Sequence, residues 1–147
     1  MIIIRESKEA ELDKFVEMER QPHAKEFING TDLVTHQRDF TDCNIIYLSI
    51  ENSNGELSGY FILATDLKEK EIEFRRVLVD QTQRGIGQAA ITIMENYCRD
   101  ELGSKRIWLD VYDDNIKGKH IYEKLGYKLF KDGNYNDRKL LYYQKYL

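Results

Sequence analysis

Apolar and polar positions repeat with two different periods along this chain, and the switches between them mark its elements. Ile2 to Arg5 is a short apolar run that reads as a first strand. From Lys8 to Arg20 the apolar residues Leu12, Phe15, Val16 and Met18 recur at helical spacing, which predicts a helix that Pro22 should stop or turn. Ala24 to Phe40 reads as a second helical segment broken near Asn29-Gly30. Two β-rich runs, Asn44 to Glu51 and Glu56 to Asp66, flank Asn52-Ser53-Asn54-Gly55, a strong hairpin signal. Glu71 to Val79 adds a third strand to this meander.

The second half switches period twice more. A helix is expected from about Arg84 to Leu102, with an apolar stripe of Ile86, Ala90, Ile93, Met94 and Tyr97, closed by Gly103. Lys105 to Val111 reads as a strand and Asn115 to Leu125 as a helix closed by Gly126. Tyr127 to Phe130 and Leu140 to Tyr146 read as a last antiparallel pair turning around Asp132-Gly133-Asn134. The order is β-α-α-β-β-β-α-β-α-β-β, an α/β arrangement.

The most informative local chemistry lies where the third meander strand gives way to a helix, at Gln83-Arg84-Gly85-Ile86-Gly87. Glycines let backbone approach an anion closely, and the free N–H groups of a helix start point at it. This layout predicts a phosphate cradle formed by Gln83, Arg84, Gly85, Ile86, Gly87 and Gln88. Read as a dinucleotide fingerprint, Gly85, Gly87 and Ala90 would be its small residues and Asp110 its ribose acid. Against that reading, Asp80 to Arg84 separate strand from glycine, and the motif sits past mid-chain.

A further run favours a different reading: Asn115-Ile116-Lys117-Gly118-Lys119-His120-Ile121-Tyr122-Glu123-Lys124-Leu125-Gly126-Tyr127. Asn115 and Tyr122 lie two helical turns apart and share a face. Together with the glycine loop, this stretch resembles the GCN5-related N-acetyltransferase (GNAT) family over roughly residues 45–147. Thr82 stands where that family's motif has Gln or Arg. The resemblance implies the GNAT fold, a mixed and mostly antiparallel sheet flanked by helices. It also implies acetyl-CoA as cosubstrate and direct transfer of the acetyl group to a primary amine through a ternary complex.

The resemblance further distributes roles. The backbone of Val77, Leu78 and Val79 would hold the pantetheine arm, with Asn115 bonding the same arm. Val77 or Leu78 N–H would stabilise the oxyanion. Glu73 would be the base, with Glu71 in reserve, and Tyr122 would protonate the leaving thiolate. Acceptor-wall residues are expected from about Lys8 to Asp42 and from the last hairpin. Phe27, His36, Phe40 and Tyr135 are candidate walls, and Glu26, Asp32, Asp39 and Asp42 are candidate partners for a cation. The alternatives are a silent acyl-CoA-binding sensor and a dinucleotide-binding module.

Composition narrows the setting. At 147 residues one domain spanning 1–147 is expected, long enough to bury about two thirds of its unfolded surface. A net charge of −4 argues against a nucleic-acid partner, which requires a basic face, and is compatible with a cationic acceptor. No apolar run is long enough to predict a signal peptide or a membrane span, so the cytoplasm is the expected compartment. Cys43 and Cys98 have neither metal nor disulfide spacing, and Cys98 is expected to be buried and inert. His23, His36 and His120 read as surface or loop residues without metal spacing. Family members dimerise, so the resemblance allows a homodimer.

Overall fold

The computed structural model describes residues 1–25, 28, 30–80 and 85–147. Among the described residues, seven strands form one sheet in the order β1-β2-β3-β4-β5-β7-β6. The strands are β1 (Ile3–Glu6), β2 (Ile45–Glu51), β3 (Leu57–Asp66), β4 (Glu71–Val79), β5 (Arg106–Tyr112), β6 (Lys128–Tyr135) and β7 (Arg138–Tyr146). Among these described strands β4 and β5 pair in parallel, and the other neighbouring pairs are antiparallel. The helices are α1 (Leu12–Glu19), α2 (Pro22–Lys25), α3 (Leu33–Phe40), α4 (Gly87–Asp100) and α5 (Ile116–Lys124).

Two cores hold this sheet, one on each face. On one face α4 lays Ala90, Ile91, Met94 and Cys98 onto Leu48, Ile50, Phe61, Leu63, Ile107 and Leu109. The buried stripe of α4 is therefore offset from the expected one: Ile91 and Cys98 point inward, while Ile93 and Tyr97 sit at its margin. Cys98 is buried as expected, and that burial pushes its thiol up to about 12. On the other face Leu12, Phe15 and Met18 of α1 pack on Tyr47, Tyr60, Ile62 and Leu78. Each such fully buried side chain contributes about 1.5–3 kcal/mol, more than the propensity of an eight-residue helix supplies.

Several boundaries differ from the sequence reading for identifiable reasons. The first helix opens with a 3-10 turn at Glu9–Glu11, where Glu11 accepts from Lys8 N–H and pairs with Arg5. Pro22 starts α2 instead of merely stopping α1, the position at which its missing N–H is tolerated. The β6–β7 turn falls at Asn136-Asp137, not at Asp132-Gly133-Asn134, which lie inside β6. Both turn residues have left-handed backbone (φ 51 and 62), the geometry that matches the twist of a two-residue hairpin.

β4 carries a bulge that sets the facing of the residues after it. Ile62 pairs with Arg76 and Leu63 with Phe74, so Arg75 has no partner of its own. Before the bulge Ile72 and Phe74 face the α4 core; beyond it Val77 and Val79 take that side, and Leu78 faces the α1 core. Simple alternation from Ile72 would have given the opposite assignment. Next to this stretch, Gly59 of β3 admits no side chain, because a Cβ there would lie 2.3 Å from the Leu78 carbonyl oxygen.

Candidate active site

The site is created where two parallel neighbours part. β4 and β5 pair only at Glu71↔Arg106, Ile72↔Ile107 and Glu73↔Trp108, then diverge. A groove of about 770 Å³ opens between them, with Phe74 to Val79 along one wall. The other wall comes from Asp110, Val111 and Tyr112 of β5 and from Asn115, Gly118, Ile121 and Tyr122 at α5. Gly85, Gly87 and Gln88 close one end, and Tyr135 and Leu140 of the last hairpin reach its rim.

Backbone direction decides which β4 groups face this groove. Asp80 N–H donates to the Ser58 carbonyl of β3 at 2.8 Å. Alternation then turns the peptide groups of Val77 and Val79 away from β3 and into the groove, and that of Leu78 toward β3. Of the two expected oxyanion donors, Val77 has its N–H on the open edge. The Val79 carbonyl already accepts from His23 Nε2 at 2.8 Å. Because a carbonyl only accepts, that nitrogen carries the proton, and the buried His23 Nδ1 has no partner among the described residues. His23 is thus a groove residue, not a bland surface one, and nothing in its sequence surroundings signals this.

At the glycine end, α4 begins with Gly87, and its preceding residue Ile86 gives no side-chain cap. The first bond of the helix runs from Ala90 N–H to the Ile86 carbonyl at 2.9 Å. The N–H groups of Gly87, Gln88 and Ala89 therefore project from the helix end, where partial positive charge concentrates. Gly85 has φ +95, a conformation that side-chain-bearing residues rarely adopt. Ile86 itself packs on the α4 core and is not part of the groove lining. The expected contributors Gln83 and Arg84, like Thr82, Glu26, Phe27 and Asn29, lie outside the described residues.

Asn115 and Tyr122 do share one wall, as their spacing predicts. Asn115 caps α5, its Oδ1 accepting from Gly118 N–H at 2.9 Å, which leaves its Nδ2 hydrogens for other partners. Gly118 makes room for this, since a Cβ there would lie 2.7 Å from Asn115 Nδ2. The Tyr122 ring sits edge-on to Phe74 (6.0 Å) and Tyr127 (5.9 Å). Burial, with the charge of Asp110 adding, pushes its phenol up to about 12, so it is protonated at neutral pH.

The acids are arranged differently from expectation. Glu73 is not among the groove-lining residues; its Oε1 accepts from Arg75 Nε at 3.0 Å. Glu71 is tied to Arg106 at 3.2 Å. Asp110 is the carboxylate in the groove. Surrounding protein and the nearby charge of Glu73 raise its pKa above the ordinary aspartate value. Sequence reading met Asp110 only as a ribose acid; its place on β5, opposite the β4 bulge, is what gives it chemistry.

Of the expected acceptor walls, Tyr135 reaches the groove. His36 does not: it is fully buried, bonded to Glu19 and Tyr47, and is neither wall nor surface. Phe40 packs on the α1 core, and Asp32 caps α3 by accepting from Thr35 N–H. Asp39 and Asp42 line a separate open depression beside Arg38.

A groove between parting strands, an uncapped helix start at paired glycines and a tyrosine on the facing helix meet here, and the profile of the acetyltransferase (GNAT) family matches residues 9–127. The chain belongs to the GNAT family. It is an acetyl-CoA-dependent N-acetyltransferase with an amine as acceptor, and the dinucleotide reading is set aside. No curated protein sequence matches the chain.

Solved GNAT structures share its fold. The spermidine N-acetyltransferase from Vibrio cholerae in complex with CoA and spermine superposes with a TM-score of 0.85 at 14% identity, covering 99% of this chain and 95% of that one. A point mutant of SpeG spermidine N-acetyltransferase from the same organism gives 0.84 at 15%, covering 99% and 93%. The dodecameric structure of that enzyme in an intermediate state gives 0.80 at 14%, again covering 99% and 93%. Among the described residues of this GNAT chain, no helix is long and apolar enough to cross a membrane.

Proposed function

We propose that this acetyltransferase works by direct attack of a cationic amine, deprotonated at Asp110, with Val77 and Tyr122 serving the acyl end. The observation that carries the reading is the parting of β4 from β5. It exposes the β4 backbone edge at Val77 and Val79 opposite a wall that bears both Asp110 and Tyr122. Acetyl-CoA supplies an activated acyl group as a thioester; the chain supplies binding, orientation and proton transfer. The β4 edge and Asn115 hold the pantetheine arm, and the N–H groups of Gly87 and Gln88 hold phosphate, together with the backbone expected from Gln83 and Arg84.

Asp110 takes one proton from the acceptor ammonium, directly or through a water, and passes it to solvent. Val77 N–H faces the negative charge that develops on the carbonyl oxygen as nitrogen bonds to carbon. Tyr122 gives its proton to the departing sulfur, and the second nitrogen proton restores it. One proton is released per turnover. Glu73, held by Arg75, is proposed as the second member of an acidic pair that keeps Asp110 basic.

The acceptor is proposed to be a linear cationic amine. Glu73 and Asp110 share the sheet face that carries Trp108 and Tyr142, whose rings lie 6.2 Å apart, and carboxylates beside aromatic faces suit an ammonium chain. That fold neighbours are spermidine acetyltransferases by name supports this class. The dodecameric neighbour likewise supports assembly of this chain into an oligomer, which light scattering reads directly. Asp110→Asn is the test of the base. It should lower kcat/KM for cationic amines by at least about 100-fold while acetyl-CoA binding stays unchanged; retained turnover would remove Asp110 from the mechanism.

A further inference from the structure

The sheet face opposite α4 hides an ionised cluster that the chemistry above does not use. Glu19, the last residue of α1, is only 2% exposed. Its Oε2 accepts from His36 Nε2 at 2.8 Å, from Arg76 Nη1 at 2.7 Å and from the Tyr60 hydroxyl, and its Oε1 accepts from Thr31 N–H at 2.9 Å. His36 Nδ1 in turn meets the Tyr47 hydroxyl at 2.6 Å. One carboxylate thus joins α1, the residue at 31, α3, β3 and β4. Burial works against its charge, but the bonds from His36 and Tyr60 outweigh that and hold its pKa below the ordinary value.

A buried cluster of this kind is a costly way to hold a fold, because the desolvation of its charges offsets most of their attraction. What it supplies is a fixed geometry, and only one of its members reaches the groove. Arg76 lines the groove, follows the unpaired Arg75 of the bulge, and directly precedes Val77. Its guanidinium is anchored by Glu19 and, at 3.2 Å, by Thr31 Oγ1. The bulge is what turns the peptide of Val77 outward, and it locally disrupts the ladder that would otherwise hold β4 in place.

We propose that Glu19 is a positioning residue for acetyl transfer: through Arg76 it locks β4 just beyond the bulge and so aims the Val77 N–H. The inference rests on the reading of Val77 as the donor to the developing oxyanion. Glu19 touches neither substrate; its effect passes through Arg76 to one backbone group. It follows that members of the cluster with no bond to Arg76, such as Tyr47 on His36, stabilise the fold without setting the rate.

The test compares three variants at a temperature well below all their melting points: Glu19→Gln, Arg76→Met and Tyr47→Phe. Glu19→Gln keeps the size of the side chain but gives Arg76 a neutral partner. Its kcat should fall by about 10- to 100-fold, the scale of a misaimed oxyanion donor, while the acetyl-CoA Kd stays within about twofold. Arg76→Met should show a similar loss, and the double variant should lose no more than either single one, as expected for residues acting as a unit. Tyr47→Phe, which removes a bond to His36 and none to Arg76, should lower Tm yet keep kcat. If kcat follows Tm across the three, or if Glu19→Gln keeps its kcat, the proposal is overturned. Should Glu19→Gln not fold, Arg76→Met against Tyr47→Phe makes the same comparison. Val77→Pro removes the N–H itself; if that variant keeps its kcat, it is the oxyanion reading that fails, not the role of Glu19.

Discussion

Replacing Tyr122 with Phe removes one hydroxyl and little else. The ring keeps its edge contacts to Phe74 and Tyr127 at 6.0 and 5.9 Å, and among the described residues no side chain bonds the hydroxyl. The fold should therefore change by less than about 1 kcal/mol, since no buried partner is left unpaired. The kinetic effect is larger. General acid catalysis is worth roughly 10²–10⁴-fold, and the phenol's position fixes where in that range it falls. With its pKa pushed up to about 12, Tyr122 lies well above a thiol at about 8.5, so complete transfer to the sulfur is uphill and donation is partial. That places the loss near the lower end, about 100-fold in kcat, or about 2.7 kcal/mol.

The assay is thiol release at saturating amine, paired with calorimetric titration of acetyl-CoA and a thermal melt. Kd and Tm should hold while kcat falls. A thioester whose thiol is more acidic needs no proton to leave, so with it the penalty should shrink. The pH profile of the wild-type enzyme should also lack a descending limb at 10, the ordinary tyrosine value, because that limb has moved toward 12. A Tyr122→Phe enzyme within about threefold of wild-type kcat would refute the reasoning.

Two further outcomes follow from other parts of the molecule. In Gly118→Ala, a gain of about 1 kcal/mol in helix propensity opposes the loss of the Asn115 cap, also about 1 kcal/mol. Tm should barely move while the acetyl-CoA Kd rises, because the new Cβ displaces Asn115 Nδ2 from 2.7 Å away; unchanged affinity would separate Asn115 from the cofactor. At acid pH the Arg5 guanidinium holds Glu11 at about 2 instead of the ordinary 4.5, against the burial that raises it. A depressed carboxylate contributes stability above 4.5 that is lost as pH falls toward 2, so the urea midpoint should drop across that window and drop less in Glu11→Gln. An equal fall in both proteins would assign the acid sensitivity elsewhere.

What was legible in the sequence was local. Gly85, Gly87, Asn115 and Tyr122 speak through spacing on one loop and one helix, and the structure brings them to one groove. The hairpin at Asn52–Gly55 was equally readable, with Asn52 Oδ1 accepting from the N–H groups of Asn54 and Glu56. The β4 bulge was not, because an unpaired Arg75 is a property of register with β3, and it reverses every face assignment after it. Glu19 and His36 were missed for a related reason. A charged residue at the end of an amphipathic helix looks solvated until four other segments converge on it. Asp110 reads as one polar position on a strand, and only the divergence of β4 from β5 makes it a groove residue.

The most direct test of the account is the initial rate of thiol release from acetyl-CoA across a panel of amines, with mass analysis of the products. The account predicts thiol release matched one to one by an acetylated amine, fastest for linear cationic amines and slow for neutral or anionic ones. Acetyl-CoA bound in the groove with no thiol released by any amine would contradict it, and would leave the chain a silent acyl-CoA-binding protein.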